Sequence, residues 1–423
     1  MGKLISFAKK LYPINRSITG KGVIQTLKII KTNHLPKLKI KKIRSGTIVY
    51  DWKIPPEWNI KNAFIKDESG KKIIDYKKNN LHIVSYSKKI NRYISKKELD
   101  KHLFSIPKKP NAIPYVTSYY KSFWGFSLSH QKRKKIKGKR FLVHINSNFN
   151  YKGHLSYGEF YLKGQSFKEI LITTYICHPS MANNETSGPV ISTFVAKHFK
   201  SLKNKYSMRF IFIPETIGSI AYIHKNFKKL KKNIIASYCL SCIGDDKNYS
   251  IILSKYGDAL SDLAALEALK KLKVKYKKYS FLYRGSDERQ FNSPGVEIPM
   301  TVLLRTKFAT YPEYHTSLDN FNVVTEKGLR GGYKFVKRVV SAMQNKIVPI
   351  SKVVCEPMMS KRKLRSTISK SDITQNQKNI MNFITYSDGK NDLIKIANLI
   401  NLPINKVKKI FNFLLKEKLI TEL

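Results

Sequence analysis

The sequence predicts an α/β protein that carries a small β-rich module and ends in a helix-turn-helix or winged-helix unit. Three observations predict it. Between about 156 and 350, short apolar runs alternate with amphipathic stretches. From about 46 to 155 the texture changes to short alternating segments rich in Pro, Trp and Tyr. Beyond residue 360 a basic linker leads into three helical patterns. Strands alternating with helices imply a largely parallel sheet covered on both faces.

Each element has its own signal. Residues 1 to about 45 read as a helical entry, in which Ser17-Ile-Thr-Gly20 can cap a helix that continues through Val23, Leu27 and Ile30. Pro55-Pro56, Pro107, Pro110 and Pro114 punctuate the next stretch, which also holds Trp52, Trp58 and Trp124. That patterning suits a small all-β module. The runs Glu169–Cys177, Met208–Pro214, Tyr279–Arg284 and Ile298–Leu304 read as buried strands, and Gly188–Phe199 and Ala259–Leu269 as helices. Cys239-Leu-Ser-Cys242 ends a strand-like run with no helix start after it, so two small core residues are expected rather than a redox pair. Ser360–Ser371 is a basic, polar linker. Helices follow over Gln375–Thr385, Asn391–Asn401 and Ile404–Glu417, with Pro403 opening the last.

A chain of 423 residues holds two or three domains, and 42% apolar residues fit a soluble globular protein. No apolar stretch reaches the roughly 20 residues that cross a bilayer. Met1–Lys10 is too weakly apolar for a signal peptide, so a cytoplasmic location and no membrane partner are expected. Four cysteines make no disulfide framework at this length. A net charge of +52 invites a nucleic-acid reading. The excess is nearly all Lys, spread along the chain beside abundant Ile and Asn, residues that share A/T-rich codons. Compositional drift accounts for it, and nucleic acid is not the favoured partner.

The chemistry lies in His178, Glu215, Asp287 and His315, each placed after one of the apolar runs. In open α/β sheets ligands bind beyond the carboxyl ends of the strands, so four such ends can converge on one crevice. Imidazoles mixed with carboxylates suit zinc or a similar divalent ion. Asn184 and Glu185 lie close to a helix N-terminus, where carboxylates are favoured. Glu215 follows a fully apolar strand, and burial raises a carboxyl pKa towards that of a general base; a Glu paired with a nearby Lys is the rival reading. Glu288 and Arg289 can support Asp287, and Asp319 can orient the His315 imidazole. One such His alone reads as a structural residue; the quartet does not.

His178 with Asn183-Asn-Glu-Thr-Ser-Gly188, Pro214-Glu-Thr-Ile-Gly-Ser219, Gly285-Ser-Asp287 and Tyr314-His-Thr-Ser317 together resemble the zinc aminopeptidases of the M28 type. More closely, the chain is similar to bacterial aminopeptidase-like proteins of the DUF4910/DUF2172 kind, with which Leu11–Gly20 and Trp124–His130 also agree. The resemblance implies a phosphorylase/hydrolase-like zinc peptidase core over 1–45 and 156–350. It also implies an inserted β-domain over 46–155 and a winged-helix domain over 360–423. It implies one or two zinc ions, with His178, Asp287 and His315 as metal ligands and Glu215 as general base. The family's bridging Asp falls on Asn184, and the second Glu of its Glu-Glu pair falls on Thr216. Either Glu185 and Glu215 take over as ligands and leave a single-zinc or rearranged site, or the site has lost peptidase activity.

The expected function is a zinc-dependent, aminopeptidase-like hydrolase in which metal-activated water attacks an amide bond of a peptide or another small amide. Its metal ligands would be His178, Glu185, Asp287 and His315, and its catalytic residue Glu215. The alternative is an altered binding or regulatory protein that uses the winged helix for nucleic-acid or protein contacts. A homo-oligomer fits either reading. An amino-sugar amide is a further substrate class that the residues do not test.

Overall fold

The computed structural model describes residues 2–362 and 375–422. Its centre is an eight-stranded sheet of β1 (Lys39–Arg44), β2 (His154–Leu162), β3 (Ser166–Tyr175), β4 (Tyr206–Ile213), β5 (Ile234–Leu240), β6 (Ser250–Ile252), β7 (Lys277–Tyr279) and β8 (Met300–Leu304). The spatial order is β1-β2-β4-β3-β5-β8-β6-β7. β4, β3, β5 and β8 run parallel, β1 and β2 are antiparallel to their neighbours, and β6 is antiparallel to β8 and parallel to β7.

The parallel strands are apolar throughout because both faces are covered. Phe210 and Phe212 of β4 and Ile170 and Ile172 of β3 point into the layer of α1 (Lys3–Leu11), α2 (Lys21–Asn33), α3 (Ser187–Lys200), α5 (Leu260–Leu272) and α7 (Glu326–Gln344). Ile211 and Leu171, one residue out of phase, join the opposite layer with α4 (Ile217–Asn233) and α6 (Glu288–Phe291). Gly188 lets α3 approach the sheet: a Cβ there would lie 2.2 Å from Thr174 Oγ1. From β3 the chain moves one way to β4, then crosses back through α4 to β5 on the other side. The carboxyl end of β3 is therefore a topological switch point.

Between β1 and β2 the chain builds a separate four-stranded sheet of 57–66, 72–75, 90–95 and 140–150. The predicted helix through Val23 and Ile30 is α2, but its N-cap is Gly20, and Asn59 Oδ1 of the inserted sheet accepts from Lys21 N–H. The run Tyr279–Arg284 departs from expectation. Only its first residue belongs to a strand, and Phe281–Tyr283 form a 3-10 turn with Leu282 and Tyr283 exposed. An apolar run alone does not say which side of the surface it lies on.

The expected linker Ser360–Ser371 lies mostly outside the described residues; its first three residues form a short 3-10 turn. The C-terminal helices are α8 (Gln375–Thr385), α9 (Leu393–Leu399) and α10 (Ile404–Lys416). A strand at Ile420–Glu422 pairs antiparallel with Pro349–Ser351. This unit rests on the larger one: Lys346 Nζ lies 3.7 Å from Asp392 Oδ2, and Leu393 N–H donates to Ile347 O. No helix among the described residues is long and apolar enough to cross a membrane.

Candidate metal centre

Residues leaving β3 and β4 meet just outside the sheet. His178, past the end of β3, is buried; its Nδ1 lies 3.0 Å from Glu185 Oε2 and its Nε2 3.7 Å from Glu215 Oε2. Glu215 follows β4, and its backbone N–H donates to Cys177 Sγ. Asp287 comes from the far edge strand, yet Thr216 N–H donates to its Oδ1 at 2.9 Å and ties it to the end of β4. His315 arrives on the long loop after β8, with its ring centroid 5.5 Å from that of His178. The five residues expected from the sequence thus share one neighbourhood.

Supporting contacts hold these loops. Asp319 does not touch the His315 imidazole, as the sequence suggested; it accepts from Asn183 N–H at 2.7 Å, Asn184 N–H at 2.9 Å and Tyr311 O–H at 3.1 Å. Two adjacent backbone donors bind a carboxylate better than a distant ring does. Glu288 accepts from Gly285 and Ser286 N–H and shapes the Asp287 loop, while Arg289 donates to Thr216 Oγ1 at 2.7 Å. Among the described residues Glu215 pairs with His178 and with no lysine, which removes the rival reading of that residue.

Sequence reasoning missed two contributors. Tyr115 of the inserted module sits with its ring 5.0 Å from that of His178 and 5.4 Å from that of His315, and its backbone N–H donates to His315 O. Only the fold brings it there. Arg16 reaches Glu185 at 3.1 Å; its signal was its place in the Leu11–Gly20 motif. A cavity of about 390 Å³ opens over His178, Glu215 and Thr216 and is walled by Trp52, Tyr115 and Tyr119.

Electrostatics divides the site in two. On one side, burial pushes Glu215, Asp287 and Glu288 up, and the Glu215 charge helps carry Asp287 to about 8. Burial, aided by His178, lowers His315 to about 3 and keeps its imidazole neutral, the form that ligates metals. Asp287 Oδ2 and Asn184 Oδ1 are buried without a hydrogen-bond partner among the described residues. Asp287 has no ion-pair partner among the described residues, and two imidazoles with an unengaged carboxylate oxygen are donor types that a zinc-like cation takes.

On the other side, burial lowers His178, but the hydrogen bond and charge of Glu185 outweigh it and raise the imidazole. Among the described residues, the group of three whose ligand atoms lie within 4.8 Å of one another is Cys177, His178 and Glu185, and it does not include Asp287 or His315. Burial pushes the Cys177 thiol well up, and the Arg16 guanidinium already sits on Glu185, so this trio is a poor cation cage.

Comparisons with known proteins identify the two domains. The family model described as "Domain of unknown function (DUF4910)" matches residues 5–346, and a winged helix-turn-helix model matches residues 348–422. A Clostridium acetobutylicum protein named "Putative polysaccharide biosynthesis protein with aminopeptidase-like domain" is 41% identical over 411 residues, covering 96% of this chain and 93% of that protein. A crystal structure of a "putative peptidase" from Clostridium acetobutylicum is similar at 38% identity and TM-score 0.87, covering 100% of this chain and 96% of the other. A zinc aminopeptidase from Bacillus subtilis shares the fold at TM-score 0.55 and 14% identity, over 81% of this chain and 95% of its own. The chain belongs to the DUF4910 family, an aminopeptidase-like α/β fold followed by a winged helix-turn-helix domain.

Proposed function

We propose that this protein is a zinc-dependent hydrolase of amide bonds. The observation that carries the reading is the convergence of His178, a neutral His315 and the unpartnered Asp287 oxygen beside Glu215. His178 Nε2, His315 and Asp287 would hold the ion; when bound, zinc supplies Lewis-acid polarisation of a carbonyl and acidified water. Glu185, also expected as a ligand, has both oxygens engaged by Arg16 and His178. One ion is the reading, because Asn184 brings no charge and the Arg289 guanidinium already stands at Thr216.

Glu215 is the general base. Its buried carboxyl, pushed up from the ordinary range, can take a proton and hand it on near neutrality. The aromatic side chains Trp52, Tyr115 and Tyr119 wall the cavity over that exchange, and the substrate is a peptide or another small amide. The relative's name joins an aminopeptidase-like domain to polysaccharide biosynthesis, so an amino-sugar amide belongs in the same screen.

The test is Glu215→Gln assayed on aminoacyl amides with parallel metal analysis. Turnover should fall about 10²- to 10⁴-fold, the usual contribution of a general base, with metal content unchanged; undiminished turnover would remove Glu215 from the mechanism. The regulatory alternative has less support. In helix-turn-helix proteins the N-terminal residues of the recognition helix contact base edges. Here Ile404 and Asn405, which begin α10, line a cavity against α5.

A further inference from the structure

We propose that Arg16 and Glu185 are positioning residues whose buried ion pair sets the orientation and tautomer of His178. The inference rests on the hydrolase reading for its purpose and on the following contacts for its substance.

Arg16 is 1% exposed, an unusual place for a guanidinium. Its Nη1 donates to Leu11 O at 2.7 Å and to Thr26 Oγ1 at 3.3 Å, which anchors it to the end of α1 and to α2. Its Nε is shared between His178 O and Glu185 Oε1, both at 3.1 Å. Glu185, also 1% exposed, places its other oxygen 3.0 Å from His178 Nδ1. One guanidinium therefore holds both the backbone of His178 and the carboxylate that holds its ring. An ionised carboxylate only accepts hydrogen bonds, so Nδ1 must carry the proton. The lone pair is then on Nε2, the nitrogen that faces Glu215.

Packing alone does not explain the pair. Burying two charges is costly, and apolar residues of similar volume often do as well or better. Arg16 Nη2 is buried without a hydrogen-bond partner among the described residues, a further cost that a purely structural contact would avoid. Carboxylate–histidine pairs of this kind fix the ring and tautomer of metal-binding imidazoles. Glu185 is assigned here as the partner of the histidine and not as a ligand.

Two double variants test this, each removing both charges so that neither is left buried alone: Arg16→Met/Glu185→Leu and Arg16→Met/Glu185→Gln. Circular dichroism confirms folding. Zinc affinity, read by chelator competition, should fall about 10- to 100-fold in the Leu variant and recover to within a few-fold in the Gln variant, which keeps an acceptor for Nδ1–H. Unchanged affinity in the Leu variant overturns the proposal as a merely structural pair. Equal loss in both overturns it in favour of Glu185 as a ligand.

A second readout does not need metal. At alkaline pH, ¹⁵N NMR of His178 in the metal-free protein should show the Nδ1–H tautomer in the wild type and the Gln variant, and an averaged or Nε2–H signal in the Leu variant. A wild-type Nε2–H signal overturns the proposal. A wild type that binds no divalent ion sinks the hydrolase reading, and the tautomer measurement still decides this one.

Discussion

Asn184 determines how much negative charge the centre holds. Its Nδ2 donates to the Tyr175 hydroxyl at 2.7 Å, and its Oδ1 faces no donor among the described residues. The wild type is expected to bind one zinc per chain. Asn184→Asp adds another buried acid beside Glu215 and Asp287, so the metal-free variant should lose about 3–5 kcal/mol. Zinc should restore that loss and raise the stoichiometry towards two, as read by metal analysis and thermal melts. Two ions in the wild type, or an unaltered metal-free variant, would discard this account. Backbone strain gathers at the same place. Thr216 (φ +61°, ψ −84°) and His315 (φ +54°) hold positive-φ conformations that cost about 1–3 kcal/mol each. Residue types and spacing made His178, Glu215 and His315 legible as a set, but no local pattern announces a strained β-branched residue such as Thr216.

At the scale of elements, β4 shows how a strand buried on both faces accommodates a charge. Arg209 is 5% exposed and meets Glu169 of β3 at 2.6 Å and Glu159 of β2 at 3.1 Å, so one guanidinium ties three neighbouring strands. Arg209→Met leaves two buried carboxylates without it and should cost about 3–5 kcal/mol in urea unfolding at neutral pH. Burial pushes Glu159 up, but Lys41 and Arg209 bring it below its ordinary value. A depressed folded-state pKa contributes stability that is complete above about pH 4.3 and fades as acid protonates the group below it. The wild type should therefore lose more stability than Arg209→Met as the pH falls from neutral through the window below about 4.3; parallel pH profiles would refute the assignment. The apolar strands were legible because period and burial agree in them. Tyr279–Arg284 was not, because its apolar side chains lie partly in solvent.

At the scale of the whole molecule, the winged helix is anchored through the N-terminus of α9. Asp392 caps that helix, accepting from Ile394 and Lys395 N–H, and pairs with Lys346 of the larger unit. Asp392→Ala should cost about 0.5–2 kcal/mol, the usual worth of a cap, and speed hydrogen exchange across α9 while sparing the β3 and β4 amides. Uniform exchange throughout the chain would show that the two units do not melt separately. The sequence by itself determined the α/β class, the β-rich insertion, the three C-terminal helices and which imidazole and carboxylate side chains follow the apolar runs, because each is written in local periodicity and residue type. Only the tertiary structure decided that Asp287 crosses from the edge strand to the end of β4, that Tyr115 of the insertion packs beside both histidines, and that Arg16 reaches Glu185. Those juxtapositions join segments from 63 to 200 residues apart. They are set by strand order and sheet curvature, which no window of the chain encodes.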